Sequence, residues 1–414
     1  MTTKNKSILM LGCFDTKEEN FNFLRQCIVS NGDNVIAMNT GVMGSTSFFP
    51  VDFESDLVAM EGGQTIEALR QMGDRGFAVE VMGRGARKMV TKLMTQGKIK
   101  AVIGMGGGGG TYIALAAMQE LPLGFPKLCI STLAAKDVTR QVGMKDILLM
   151  PSVVDVAGLN SISRPIMRNA AAAVCGMGRV NLEVDDKNFG TIAISMFGNT
   201  TACVDQCTKS LEAKGYEVMA FHANGLGGNA METLIREGCF DGVLDITTTE
   251  LADELCGGIC SAGPGRLSAA VEMGIPQVVV PGCLDMVNFA HLDTVPGQYK
   301  ARQLYSWAPD VTLMRTDGQE NIQLAKMIAE KLNFSVVPVT VLLPLKGLSQ
   351  IDSEGGIFYQ PKINRVLFDS LKQQLKDHVK VVEMDAHINE TLFSESAVDS
   401  LLENIEKHKS KSVK

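Results

Sequence analysis

The residue types that could do chemistry gather where apolar runs give way to turns. Gly104-Met105-Gly106-Gly107-Gly108-Gly109-Gly110-Thr111 follows Ala101-Val102-Ile103 and precedes the helix-like Tyr112–Met118. Strand, glycine turn and helix in that order make an anion site. Successive backbone N–H groups point into one space, and the helix N-terminus adds partial positive charge. Five consecutive glycines keep β-carbons out of the way and permit positive φ. No Lys-Ser/Thr pair ends the run, so it is not a Walker A loop. Gly106, Gly107, Gly108, Gly109, Gly110 and Thr111 are therefore candidates for holding phosphate or carboxylate.

Ligands of open α/β sheets lie at the carboxyl ends of strands. Other polar groups stand at such ends in the first half of the chain. Asp15, Thr16 and Lys17 follow the apolar run Ser7–Leu11, Thr40 and Gly41 follow Asn34–Asn39, and Ser131 and Thr132 end the run from Pro126. With the glycine run they offer amides, hydroxyls, one ammonium and one carboxylate. That set suits a nucleotide's phosphates with Mg²⁺, Lys17 acting as a point charge and Asp15 reaching the metal directly or through water. Asp15 and Thr16 also suit a helix N-cap, which does not exclude phosphate contact.

The second half presents a different set. His222-Ala223-Asn224-Gly225-Leu226-Gly227-Gly228 follows one apolar run and Asp245 with Thr247–Glu250 ends another. Ser261–Arg266 is a second glycine turn, Asp285, Asn288, His291 and Asp293 follow Gln277–Val280, and Lys346 and Ser349 close the series. Hydroxyls and glycine amides could build an oxyanion or phosphate nest. Arg266 could clamp a carboxylate or phosphate through two parallel bonds. His222 and Glu250 are acid/base candidates, so these three form the catalytic expectation. Asn199, Thr200, Gly227, Gly228, Thr248, Thr249, Gly263 and Lys346 form the substrate-binding one. A metal site from His222, Asp245, Asp285 and His291 has no diagnostic spacing. His378 and His408 read as surface residues.

The elements that must position these groups recur twice. Ser7–Leu11, a helix over Glu18–Ser30 and Asn34–Asn39 make a βαβ unit, which crosses over right-handed. A loop over Thr40–Asp56, helices over Thr65–Met72 and Arg75–Gln96, strands at Pro126–Thr132 and Asp146–Met150 and a small-residue helix at Asn169–Met177 follow. That helix suits close packing within the unit or across a dimer interface. The polar stretch Val184–Gly190 reads as a boundary, giving units 1–185 and 186–414. The pattern then restarts with Thr191–Met196, a turn, a helix to Lys214 and Tyr216–Phe221. Later strands are expected at Gln277–Pro281 and Val336–Leu345, a terminal amphipathic helix at Arg365–Lys380, and a frayed tail from Glu406. The fold class is α/β: two Rossmann-like lobes with mainly parallel sheets and a cleft between them.

Bulk composition agrees. A chain of 414 residues exceeds one ordinary core. It is 45% hydrophobic but only 6% aromatic, the aliphatic balance of parallel sheets. A net charge of −7 without a basic block argues against nucleic acid. No apolar run reaches the roughly 20 residues of a membrane helix, and the first residues lack a signal-peptide apolar region. Ten scattered cysteines, without zinc spacing, read as reduced core thiols of a cytoplasmic protein.

Ten stretches in register then resemble one family. They are Gly12–Glu18, Gly104–Thr111, Leu121–Thr132, Ser152–Asn160, Phe221–Glu232, Leu244–Glu254, Ser261–Leu267, Pro281–Phe289, Leu313–Thr316 and Leu343–Asp352. The family is the bacterial and fungal one that shares the N-terminal ATP-binding domain of the tomato mosaic virus resistance protein. The resemblance implies two α/β lobes, ATP with Mg²⁺ bound mainly through the first lobe, and a homodimer. It supplies no reaction. The chain departs from the family's usual pattern at Cys13, near Glu18, in the unbroken glycine run and at Ala134–Asp137. These departures touch side-chain contacts more than the backbone nest.

The expected function is ATP·Mg-dependent phosphoryl or nucleotidyl transfer, or ligation, on a small polar metabolite across the cleft. The competing expectations are a nucleotide-responsive binding module and an ATP-independent lyase or isomerase centred on His222, Glu250 and Arg266.

Overall fold

The computed structural model describes residues 6–180 and 189–412. The chain divides into two compact units, Met1–Val184 and Asp185–Lys414. Residues 184–188 of the expected boundary stretch lie outside the described residues.

The first unit is built on five parallel strands, β1 (Ser7–Gly12), β2 (Val35–Asn39), β3 (Ile99–Gly106), β4 (Lys127–Ser131) and β5 (Leu148–Pro151). Their order is β2-β1-β3-β4-β5. The chain moves outward from β1 to β2 and returns to lay β3 on the other side of β1. The winding therefore reverses between β1 and β3, where their carboxyl ends open a crevice. Alternation in β1 splits the core in two. Leu9 and Leu11 pack with helices Ser55–Glu61, Arg75–Thr95 and Gly108–Gln119 on one face. Ile8 and Met10 pack with helices Phe14–Ser30 and Ser163–Met177 on the other. Both faces are covered, so the strand reads as an unbroken apolar run.

The second unit repeats the winding. Its parallel strands are β6 (Thr191–Met196), β7 (Glu217–His222), β8 (Gly242–Thr247) and β9 (Gln277–Gly282). A separate antiparallel sheet follows, from β10 (Met286–Phe289), β11 (Leu304–Ala308) and β12 (Val311–Arg315), in the order β10-β12-β11. β13 (Val339–Pro344) and β14 (Val379–Met384) then complete the main sheet, β14-β13-β9-β8-β6-β7. The reversal here falls between β6 and β8. Two mainly parallel sheets flanked by helices are the α/β architecture expected from the sequence.

Several elements differ from expectation. The first helix starts at Phe14, and Lys17 leaves helical geometry (φ −137°, ψ 30°), kinking it beside the crevice. Helix Ser55–Glu61 begins inside the expected loop, and the small-residue helix begins already at Ser163. The antiparallel sheet and helix Gly318–Leu332 have no counterpart in the sequence reading. The expected terminal helix is Pro361–Gln374, while Lys380 belongs to β14. The expected tail continues helix Thr391–Ser412, which is anchored by buried Phe393, Val398, Leu401 and Ile405 against the main sheet's core. Among the described residues no helix is long and apolar enough to cross a membrane. All ten cysteines are free thiols.

Candidate functional site

The carboxyl ends of β1 and β3 open into a cavity of about 720 Å³, within the usual range for small-molecule sites. The glycine run is its floor. β3 ends at Gly106, Gly107 caps the next helix in an extended conformation, and the helix runs from Gly108 to Gln119. Its first rung is Thr111 N–H to Gly107 O at 2.8 Å. The amides of Gly108, Gly109 and Gly110 lie before that rung and have no intrahelical acceptor. None of these glycines has positive φ. Size matters at two of them, Gly106 and Gly109. A β-carbon on Gly106 would stand 2.8 Å from Gly110 Cα, and one on Gly109 3.1 Å from a Val79 methyl. A β-carbon on Gly108 would meet no atom within 4 Å.

One side of the cavity comes from the turns after β1 and β2. The Asn39 side-chain oxygen accepts Phe14 N–H at 3.2 Å and Gly41 N–H at 2.9 Å, knotting the two turns together. Asp15 leans on this knot. Its Oδ2 accepts Met43 N–H at 2.8 Å. Its Oδ1 is buried without a hydrogen-bond partner. Gly41 makes this possible, because a β-carbon there would stand 2.3 Å from that oxygen. Lys17 Nζ donates to Val156 O at 2.5 Å, and Thr16 is exposed at the mouth. Burial, with the charge of Asp15, raises the Cys13 thiol's pKa, so it stays protonated at neutral pH.

Two of the expected residues turn inward. Thr111 Oγ1 donates to Gly106 O at 3.1 Å and lies 2.7 Å from Ser131 Oγ, which accepts Leu133 N–H at 2.9 Å. These hydroxyls pin the glycine turn to the end of β4. Thr132 and Gly106–Gly110 line the cavity, as do Asp15, Thr16, Lys17 and Gly41.

The sequence reading missed two kinds of lining residue. Leu69, Ala78, Val79, Met82 and Ile113 form an apolar wall. Arg70 and Arg75 add exposed cations at the rim, with Arg70 Nε donating to Val42 O at 2.6 Å. They flank the break at Gly73-Asp74 between two helices, and no spacing rule links such a break to strand ends far away in sequence.

In the second unit the expected residues mostly bond one another. Arg266 is wholly buried. Nη1 and Nη2 reach the two Asp245 carboxylate oxygens at 2.6 Å each, and Nε reaches Glu250 at 2.5 Å. Glu232 and Thr247 O accept the last two N–H groups at 3.3 and 3.2 Å. As folded, the guanidinium has no donor left for a ligand. Burial opposes its charge, but Asp245, Glu250 and Glu232 together lift its pKa well above the usual value. Glu250, also fully buried, accepts Gly225 N–H at 2.7 Å and Gly228 N–H at 3.2 Å. The glycine nest at Gly227-Gly228 is thus filled from inside, and Gly227 N–H goes to Asn224 Oδ1. His222 is exposed and stacks on Phe197 at 5.3 Å, without a bond to Glu250 or Arg266.

Thr200 and Thr247 hydroxyls lie 2.8 Å apart, while Thr248 and Thr249 donate to backbone carbonyls at 3.1 and 3.5 Å. Gly263 N–H donates to Ser261 Oγ, and Lys346 is a surface cation 3.3 Å from Asp385. Asn199 is buried, with its side-chain oxygen unpartnered. The four-residue metal arrangement does not assemble, since His222 and His291 are exposed while Asp245 and Asp285 are buried. Among the described residues no group of three or more His, Cys, Asp or Glu could hold a metal by itself.

Two doubly wound α/β units in tandem, the first with a glycine-floored crevice at its switch point, define the class of protein. The chain belongs to the Uncharacterised protein family UPF0261, whose N-terminal domain matches residues 6–183 and whose C-terminal domain matches residues 190–405. A UPF0261 protein of Clostridium tetani is 45% identical over 97% of this chain and 100% of its own length. One from Rhizobium meliloti is 39% identical over 95% of this chain and 98% of its own. The ToMV resistance protein Tm-1 of Solanum lycopersicum is 36% identical over 96% of this chain, which spans 55% of that longer protein.

Proposed function

We propose that the first unit binds ATP with Mg²⁺, and that the chain uses it on a small polar metabolite in the cytoplasm as a homodimer. The observation that carries this reading is one cavity uniting free helix-terminal amides, an apolar wall and three cations, Lys17, Arg70 and Arg75. The amides and cations match phosphates, and the apolar wall matches a base. The unpartnered Asp15 Oδ1 fits Mg²⁺, which needs only one or two carboxylates when phosphates supply the rest. Bound there, the ion would neutralise phosphate charge. Phosphoryl or nucleotidyl transfer, or ligation, asks little of a protein beyond such positioning.

One observation favours a second reading, a nucleotide-responsive module that does not consume ATP. Glu250 and Arg266, the acid/base and clamp candidates, are locked to each other in the core. The same fact weakens a lyase or isomerase built on them with His222.

Calorimetric titration of the full chain with ATP and MgCl₂ tests the binding, and chromatography of the nucleotide afterwards separates the two readings. One ATP bound per chain is expected. A flat titration at millimolar ATP would sink the nucleotide assignment. ATP recovered intact with a bound metabolite present would favour the module.

A further inference from the structure

A second cavity of about 400 Å³ adjoins the first. It lies at the carboxyl ends of β4 and β5, the two strands that follow β3 in the sheet. Thr132 and Asp155 line both cavities, so they form the partition between them. Lys136 and Ser152 line the second cavity and not the first.

Three features mark this as more than a surface dent. Among the described residues the Thr132 hydroxyl and the Lys136 ammonium have no partner, and Lys136 is exposed. The wall also contains Val153, whose φ of 63° is a left-handed conformation that a β-branched residue rarely adopts. Such strain persists only when its surroundings hold it. Here Val154 N–H donates to Ser152 O, and Ser152 Oγ donates to Val154 O, both at 2.7 Å. The same loop continues to Val156, whose carbonyl receives Lys17 from the first cavity. One short segment therefore shapes both spaces.

We infer that the second cavity is the subsite for the small-molecule partner of the nucleotide, and that this partner is a small hydroxylated anion, a carboxylate or a phosphomonoester. Lys136 and the Thr132 hydroxyl bind the anionic group. The Asp155 carboxylate repels it and accepts a hydrogen bond from the ligand's hydroxyl, which fixes the ligand's orientation. That the nucleotide occupies the neighbouring cavity rests on the reading above. The subsite itself rests on the groups around it.

The test is calorimetric titration of the full chain with glycerol 3-phosphate and with malate, with and without a non-hydrolysable ATP analogue and Mg²⁺. Wild type is expected to bind at least one of them. Lys136→Ala should weaken that binding by about tenfold or more, the scale of one charge-assisted hydrogen bond. Ala135→Trp, which fills the second cavity only, should abolish it and leave analogue affinity unchanged. Both substitutions fall on exposed side chains. The inference is overturned if neither anion binds wild type, or if both variants bind as wild type does. Anion binding that is lost in both variants upholds the subsite even if the ATP analogue never binds, in which case only the nucleotide reading falls.

Discussion

A β-carbon on Gly228 would stand 2.2 Å from Glu250 Oε2. The glycine and the carboxylate occupy adjoining space in the core, and Glu250 takes the amides that an external anion would otherwise take. A glycine turn that opens a helix thus leaves its amides facing a cavity in one unit and is a self-filled joint in the other. Gly228→Ala should lower stability by about 2–4 kcal/mol, because the obstructing atoms belong to a buried, bonded carboxylate. The urea unfolding midpoint reads this. An unchanged midpoint would mean that Glu250 is free to move.

Arg266 should behave as a framework residue. Lysine has three donors and no planar fork, so Arg266→Lys leaves buried carboxylates underbonded and should cost about 3–5 kcal/mol of stability. ATP affinity at the first unit should be unchanged in whatever fraction stays folded. A variant of wild-type stability that fails to bind a metabolite would instead give Arg266 a ligand role.

Gly108→Val probes the floor of the first cavity. A β-carbon there meets no atom within 4 Å, so the fold should tolerate the substitution, with a thermal midpoint close to wild type. The valine stands among the free amides and should weaken ATP by about tenfold or more. Undiminished affinity would remove the glycine turn from the site.

Asp15→Asn separates metal from phosphate. It removes the charge of the unpartnered oxygen and keeps an acceptor for Met43 N–H. The gain in ATP affinity that Mg²⁺ gives wild type should shrink by about tenfold, while affinity without Mg²⁺ should hold or improve. Equal Mg²⁺ dependence in both proteins would release Asp15 from the metal.

Asp285 should leave a signature in the pH dependence of stability. Burial raises its carboxyl from the ordinary 3.8 to about 7, with the charge of Asp352 adding to the rise and Arg315 opposing it. Across that window the folded chain keeps a proton that the unfolded chain has released. Stability therefore falls as pH rises, a loss complete above the folded value. The two carboxyls interact, so the step belongs to the pair. Asp285→Asn cannot ionise, so between about pH 5 and about pH 8 its thermal midpoint should rise relative to wild type. Parallel midpoints would show that Asp285 does not titrate in this range.

Much of the fold was legible because its signals are local. The continuous apolar run at Ile8–Leu11 reports a strand covered on both faces, and β3, the glycine turn and its helix follow one another in sequence. Lys380 was misread because helix Pro361–Gln374 and β14 adjoin without a strong breaker. The antiparallel strands β10–β12 were missed because they are short and flanked by irregular chain, so neither periodicity develops.

Sequence by itself determined the strand–glycine–helix step and the polar strand ends, because backbone geometry and residue size act over a few neighbours. Tertiary structure decided which polar groups face the cavity. Lys17 meets Val156 across 139 positions, Asp15 finds room only against Gly41, and Arg70 and Arg75 reach the rim through the fold of two helices. Thr111, Ser131, Glu250 and Arg266 have the same chemistry as ligand-binding residues, yet packing turns them toward the protein's own groups. A side chain's direction depends on every element that touches it, and most of those elements lie far away along the chain.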